Sequence, residues 1–244
     1  MPTKELNDDL IAAAEKRDTA TVRALLTKGA DVNAKRESGG DTALEIASLA
    51  GDVETTKVLL DNGADTEAKL GLGMTALMQA GIRTLNLLLA KGANVNAKDN
   101  KGKTVLMWAI DPQLSGSIEK VQALLEKGAD VSAKDNDGKT PLMWALSGHS
   151  TSGTFSPPTV HLLLEKGADV NARDNRGQTV LMLAVSFWAT ARFSVESLFS
   201  PMVKELIARG ADVNARDPDG KTVLMLAQKK PKIVSLLKKH GAHV

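Results

Sequence analysis

The feature that most constrains this chain is that it repeats itself. Gly-Ala-Asp-Val-Asn-Ala begins at Gly29, close copies begin at Gly63, Gly92, Gly128, Gly167 and Gly210, and a truncated Gly-Ala-His-Val begins at Gly241. The spacings between these glycines are 34, 29, 36, 39, 43 and 31 residues, scattered about a unit of roughly 33. A unit of that size cannot bury its own apolar face, so neighbours must stack and stability becomes a sum of nearest-neighbour interfaces.

Each unit reads as turn, helix, turn, helix, hairpin. From Asp99, the run Asp-Asn-Lys-Gly-Lys-Thr is a turn cluster in which Gly102 can take a positive φ and Thr104 is placed as an N-cap. Pro141 follows Thr140 at the first helical position of the next unit, where a missing N–H costs nothing. Val121, Leu124 and Leu125 recur at i, i+3 and i+4 as one apolar stripe, and Lys127 with Gly128 supplies a C-terminal charge and a left-handed cap.

Six segments carry Thr-x-Leu with an alanine three residues after the leucine: Thr42-Ala-Leu, Thr75-Ala-Leu, Thr104-Val-Leu, Thr140-Pro-Leu, Thr179-Val-Leu and Thr222-Val-Leu. Together with the Gly-Ala-Asp-Val-Asn-Ala copies, these resemble the ankyrin repeat family over essentially the whole chain. The resemblance implies an all-α solenoid of stacked antiparallel helix pairs with hairpin finger loops, acting by protein binding. It gives one array over 1–244, with repeats near 4–34, 35–68, 69–97, 98–133, 134–172, 173–215 and 216–244, the first and last being caps. One departure is systematic. The residue after the motif leucine, usually histidine in the family, is Glu45, Met78, Met107, Met143, Met182 and Met225. The threonines must then find backbone partners, the methionines are expected to form a packing spine, and Glu45 is expected to be the most exposed member.

Composition narrows the chemistry. Lys+Arg 31 against Asp+Glu 29 leaves a net charge of +2, too balanced for a general phosphate-backbone binder. Cysteine is absent, which removes disulfides, thiolate metal sites and cysteine nucleophiles. The start lacks the apolar core of a signal peptide and no stretch approaches a membrane span, so a cytoplasmic monomer without membrane or nucleic-acid partners is the expectation. His149, His161, His240 and His243 are too scattered to form a metal site by spacing, and Gly71-Leu-Gly73 lacks the rest of a dinucleotide motif. Asp31, Asp65, Asp130, Asp169 and Asp212 recur once per unit at places the repeat explains. No catalytic residue, cofactor or metal is expected, and no enzymatic activity. Lys221, Lys229, Lys230, Lys232, Lys238 and Lys239 form a basic run with no acid after Asp219, read as a solvated capping face or a surface for an acidic partner.

The array breaks its own rule in two places. Asp111–Ser117, Ser147–Pro158 and Ser186–Pro201 are insertions between the first and second helices of three consecutive units. Of seven aromatics, Phe155, Phe187, Trp188, Phe193 and Phe199 lie in the last two, whereas Trp108 and Trp144 occupy matched first-helix positions and are read as core. Aromatics in long loops either bind a partner or cap a local mini-core. In the third finger, Leu70, Leu72 and Met74 replace polar residues, forming either a contact surface or a local fill. The expected function is a non-enzymatic protein-interaction module, adaptor or inhibitor and immunity-type binder, with an unidentified protein partner. It would use the finger and first-helix surface and the loops of repeats five and six. The alternative is a small-molecule or nucleic-acid binder using a pocket or groove beside those loops.

Overall fold

The computed structural model describes residues 3–37, 40–110, 117–146, 156–190, 196–228 and 230–243. Among these residues the secondary structure is fourteen helices, two per repeat, with isolated antiparallel bridges and no named strand. They fall into two compact units, Met1–Ala109 with Glu119–Ala129, and Ile110–Ile118 with Asp130–Val244.

In the first unit, first helices pack on first helices and second on second. α1 (Lys4–Glu15) meets α3 (Ala43–Leu49), which meets α5 (Ala76–Gln79). Behind them α2 (Thr19–Thr27) meets α4 (Val53–Asp61), which meets α6 (Ile82–Ala90). Helices α7 (Val105–Ile110) and α8 (Ile118–Glu126) complete the fourth repeat. In the second unit α11 (Val180–Thr190) packs on both α9 (Pro141–Leu146) and α13 (Val223–Leu226). Helix α9 also meets α10 (Pro157–Glu165), α11 meets α12 (Glu196–Ala208), and α13 meets α14 (Pro231–Lys239).

The short first helices start where the threonines place them. Thr42, Thr104, Thr140, Thr179 and Thr222 each accept, through Oγ1, the backbone N–H three residues on, at 3.3–3.4 Å. Thr75 is the exception, with no side-chain capping bond. The second helices use Asp18, Asp52 and Ser156 in the same way. Each such cap satisfies one orphan N–H and contributes about 1 kcal/mol.

The core alternates the motif leucines with the methionine slots. Leu106, Met107, Leu142 and Met143 are all essentially inaccessible, as are Leu181 and Met182. Met78 is buried and Met225 half-buried, so the methionines do fill the interior within each unit. Glu45 departs from expectation. It is only 4% exposed, because its helix is sandwiched between α1 and α5 and its slot points the same way as the methionines.

Beside this apolar packing, polar bonds also join repeats. The Asn171 amide donates to the Gly210 carbonyl at 2.8 Å and accepts the Asp212 N–H at 2.9 Å. Asn214 makes the same pair of bonds to Gly241 and His243, and Asn33 to Gly63 and Asp65. The finger hairpins interlock too: Asn175 N donates to Asp137 O at 2.9 Å, and its amide donates to Asn136 O at 2.8 Å. Gly138 permits that approach, since its φ is +77° and a Cβ there would lie 2.7 Å from the Asn175 nitrogen.

Two substitutions separate these contributions. Met107→Ala should lower unfolding free energy by about 2–5 kcal/mol, the range for truncating a fully buried long apolar side chain. Asn171→Ala should cost about 0.5–1.5 kcal/mol, the net worth of hydrogen bonds that water can partly replace. Chemical denaturation midpoints unchanged in both would contradict this account.

Candidate partner-binding surface

Each complete finger is organised by its first aspartate. Asp135 Oδ1 accepts the N–H groups of Asp137 and Lys139 at 2.9 and 2.8 Å, and Asp99, Asp174 and Asp217 repeat this at their own tips. In repeats four and five the second carboxylate oxygen does something more. Asp99 Oδ2 accepts the Trp108 indole N–H at 3.1 Å, and Asp135 Oδ2 accepts that of Trp144 at 2.8 Å. The finger lysine covers the ring: Lys103 Nζ lies 3.9 Å from the Trp108 centroid and Lys139 Nζ 5.6 Å from the Trp144 centroid, both within cation–π range. Both tryptophans are half-buried, not the fully enclosed core residues expected from their place in first helices. The spacing Asp-x-x-x-Lys-x-x-x-x-Trp, at 99, 103, 108 and at 135, 139, 144, carries this arrangement in the sequence, and repeat six, with Gln178 and Leu183, lacks it.

The third finger divides the apolar residues singled out from its sequence. Leu70 is 6% exposed and bridges Met74, which is half-buried, while Leu72 is 59% exposed and its carbonyl accepts the Asn100 N–H. Only Leu72 is free to meet a partner.

The insertion in repeat six is mostly helix, not loop. Helix α11 runs to Thr190 and α12 begins at Glu196, so the extra residues lengthen both helices beyond their counterparts α9 and α10. Phe187 and Trp188 lie in α11 and Phe199 in α12. The Trp188 and Phe199 rings are 4.2 Å apart, Phe187 meets Phe199 edge-on at 6.3 Å, and Trp188 and Phe199 are 2% and 3% exposed. This corrects the placement of these aromatics in an extended loop: longer helices expose more apolar face, and the rings close over it. Phe155 and Phe193 lie outside the described residues, as do 111–116, 147–155 and 191–195 of the three insertions. Of the insertion in repeat five, Ser156 caps α10 and Pro157 opens it.

The remaining polar groups have local structural roles. Asp31, Asp65, Asp130, Asp169 and Asp212 each accept the N–H two residues on, an Asx turn that occupies the carboxylate. Among the described residues no group of three His, Asp or Glu could hold a metal, and no helix is long and apolar enough to cross a membrane. His161 joins α10 to α12, its Nδ1 at 2.7 Å from Glu205 and its Nε2 at 3.0 Å from Glu165. The Glu205 hydrogen bond, followed by the Glu165 charge, raises its pKa above the ordinary 6.5.

The description "Ankyrin repeats (3 copies)" matches residues 7–70, 74–174 and 116–199. The chain belongs to the ankyrin repeat family. Among solved structures this ankyrin repeat protein is similar to the ankyrin repeat domain of Bcl-3, described as a unique member of the IkappaB protein family. The two share 26% sequence identity at a TM-score of 0.75, over 94% of this chain and 97% of that one. No curated protein matches the chain. Ankyrin repeats are protein-interaction modules, and that coarse function holds here.

Two measurements follow from this geometry. Trp188→Ser should destabilise by about 3–5 kcal/mol, as loss of a buried aromatic does, whereas Leu72→Ser should change stability by less than about 0.5 kcal/mol. The raised pKa of His161 means its ion pairs support the fold fully below pH 6.5 and lose their effect as pH rises through the higher folded value. The stability difference between the parent chain and His161→Gln should therefore shrink on going from pH 6 to alkaline pH, and a pH-independent difference would contradict it.

Proposed function

We propose that this chain is a non-enzymatic binding module that recognises a protein partner through its fingers and first helices. The observation carrying this reading is the indole of Trp108 and of Trp144, each held by a finger aspartate, covered by a finger lysine and left half-exposed. An aromatic fixed in one rotamer loses little entropy on binding, and such residues dominate interface energetics. Leu72 adds an exposed apolar contact on the third finger. Phe155 and Phe193, in the insertions of repeats five and six, are proposed as further contacts. Trp188, Phe199 and Leu70 are not, because they are committed to the interior; the half-buried Phe187 meets the Phe199 ring, and the half-buried Met74 is paired to Leu70 through the finger backbone.

The likeness to an IkappaB-family ankyrin domain supports an inhibitor or adaptor acting by docking, with catalysis left to the partner. The test uses the residue that repeat six already carries in the tryptophan slot, Leu183, so the fold tolerates it. A partner captured from host lysate and identified should bind the Trp108→Leu, Trp144→Leu double variant at least tenfold more weakly, about 1.4 kcal/mol. Its far-ultraviolet circular dichroism should be unchanged. Undiminished affinity would move the binding surface elsewhere.

A further inference from the structure

The layer between repeats two and three contains an ionisable group where four other repeats bury a methionine. Glu45 follows the motif leucine on α3 and is 4% exposed. One carboxylate oxygen, Oε1, accepts the side-chain amide of Gln79 on α5. The other, Oε2, is sealed from solvent and has no hydrogen-bond partner.

Of the charges on neighbouring elements, Glu5, Asp8 and Asp9 of α1 and Lys57 of α4 are exposed to solvent, and the others are paired elsewhere or repel it. In the first unit Glu15 of α1 pairs with Arg36, Lys4 with Glu37, Glu54 of α4 with Arg23, and Asp61 with Lys91. Helix α5 carries no titratable residue, and α3 carries none besides Glu45. The charge that acts on Glu45 is the carboxylate of Asp41, of like sign. Burial, reinforced by Asp41, pushes Glu45 up to about 7.

The opposing element is buried but short and uncapped. Helix α5 is four residues long, lacks the threonine capping bond, and passes into extended backbone at Ala80. The segment after it packs on α4 through α6, and two hydrogen bonds from it to α3 converge on one atom, the Ser48 carbonyl, which accepts Thr84 Oγ1 at 2.9 Å and Gly81 N at 3.4 Å. A carboxylate enclosed without a cation costs far more than a neutral carboxyl, and the least expensive relief is to let water in where the packing is thinnest.

We propose that Glu45 is a proton-operated latch: as the neutral acid it closes α3 against α5, and on ionisation it loosens that contact and admits water. The sign is opposite to that of an ion-paired carboxylate. Below about pH 4.5 folded and unfolded chains are both protonated, and the layer has its full stability. Between there and pH 7 the unfolded or opened form ionises while the closed form does not, so stability falls as pH rises.

The experiment needs the intact chain and three readouts. In the parent protein, the side-chain carboxyl 13C resonance of Glu45 should titrate well above the ordinary carboxylate range, and a midpoint below pH 5 overturns the proposal without any variant. Amide hydrogen exchange of residues 43–49 and 76–90, corrected for intrinsic rates, should be about tenfold faster at pH 8 than at pH 6, the change that a closed-state value near 7 and an open-state value of 4.5 give. Glu45→Gln keeps the shape without the charge, and Glu45→Met installs the residue of the other slots. In both, the corrected exchange of those segments should be the same at the two pH values. Parent and variants changing in parallel would show that Glu45 does not operate the contact.

Discussion

The directional interaction on which the register of three repeat junctions depends is a bidentate asparagine bridge. A stacked repeat has no long-range topology to hold its register, since each unit touches only its neighbours. Asn33, Asn171 and Asn214 set that register by donating to the glycine carbonyl that ends the next second helix and accepting the N–H two residues beyond it. The glycine lies just past the helix C-cap in a left-handed conformation, so the side chain grips the point where the chain leaves the helix. Apolar packing of leucines and methionines supplies most of the stabilisation. It is non-directional, and the amide fixes which turn faces which.

With register fixed, side chains at equivalent positions meet equivalent surroundings, which is why single departures are informative. Methionine, unbranched and polarizable, fills the slot after the motif leucine without requiring a hydrogen-bond partner. Glutamate in the same slot does require one, and the structure supplies half of it through Gln79. The tryptophans show the converse case. An indole N–H needs an acceptor when partly enclosed, and the finger aspartate, already bonding two backbone groups through one oxygen, has its second oxygen free to receive it. The finger is thereby tied to the helix that it covers, giving a firm platform from a hairpin too short to be a stable sheet.

Much of the fold is legible in the sequence because periodic glycines and threonines act locally. Gly29, Gly63, Gly92, Gly128, Gly167, Gly210 and Gly241 all take positive φ, as a left-handed helix cap requires. The threonine N-caps follow from the same local chemistry, and Thr75 fails only where the repeat is short. The candidate site is less legible. Trp108 and Trp144 read as core because a tryptophan in an apolar helix pattern usually is. The aspartate and lysine that hold them lie five to nine residues away, across a turn, and periodicity does not report which side of a helix a finger covers.

The sequence by itself determined the repeat period, the helix starts marked by threonine and the slots, since caps, turns and apolar spacing act within a few residues. Tertiary structure decided the environment of each slot. Glu45 is buried because α1 and α5 close over α3, and no property of its own repeat shows that. Trp188 and Phe199 belong to the core because both helices of repeat six run longer than those of repeat five and their apolar faces meet. Leu70 and Leu72 have opposite fates for a similar reason: the hairpin turns one leucine inward and the other out. Burial is a property of what packs against a residue, and in a solenoid that neighbour lies a full repeat away in the chain.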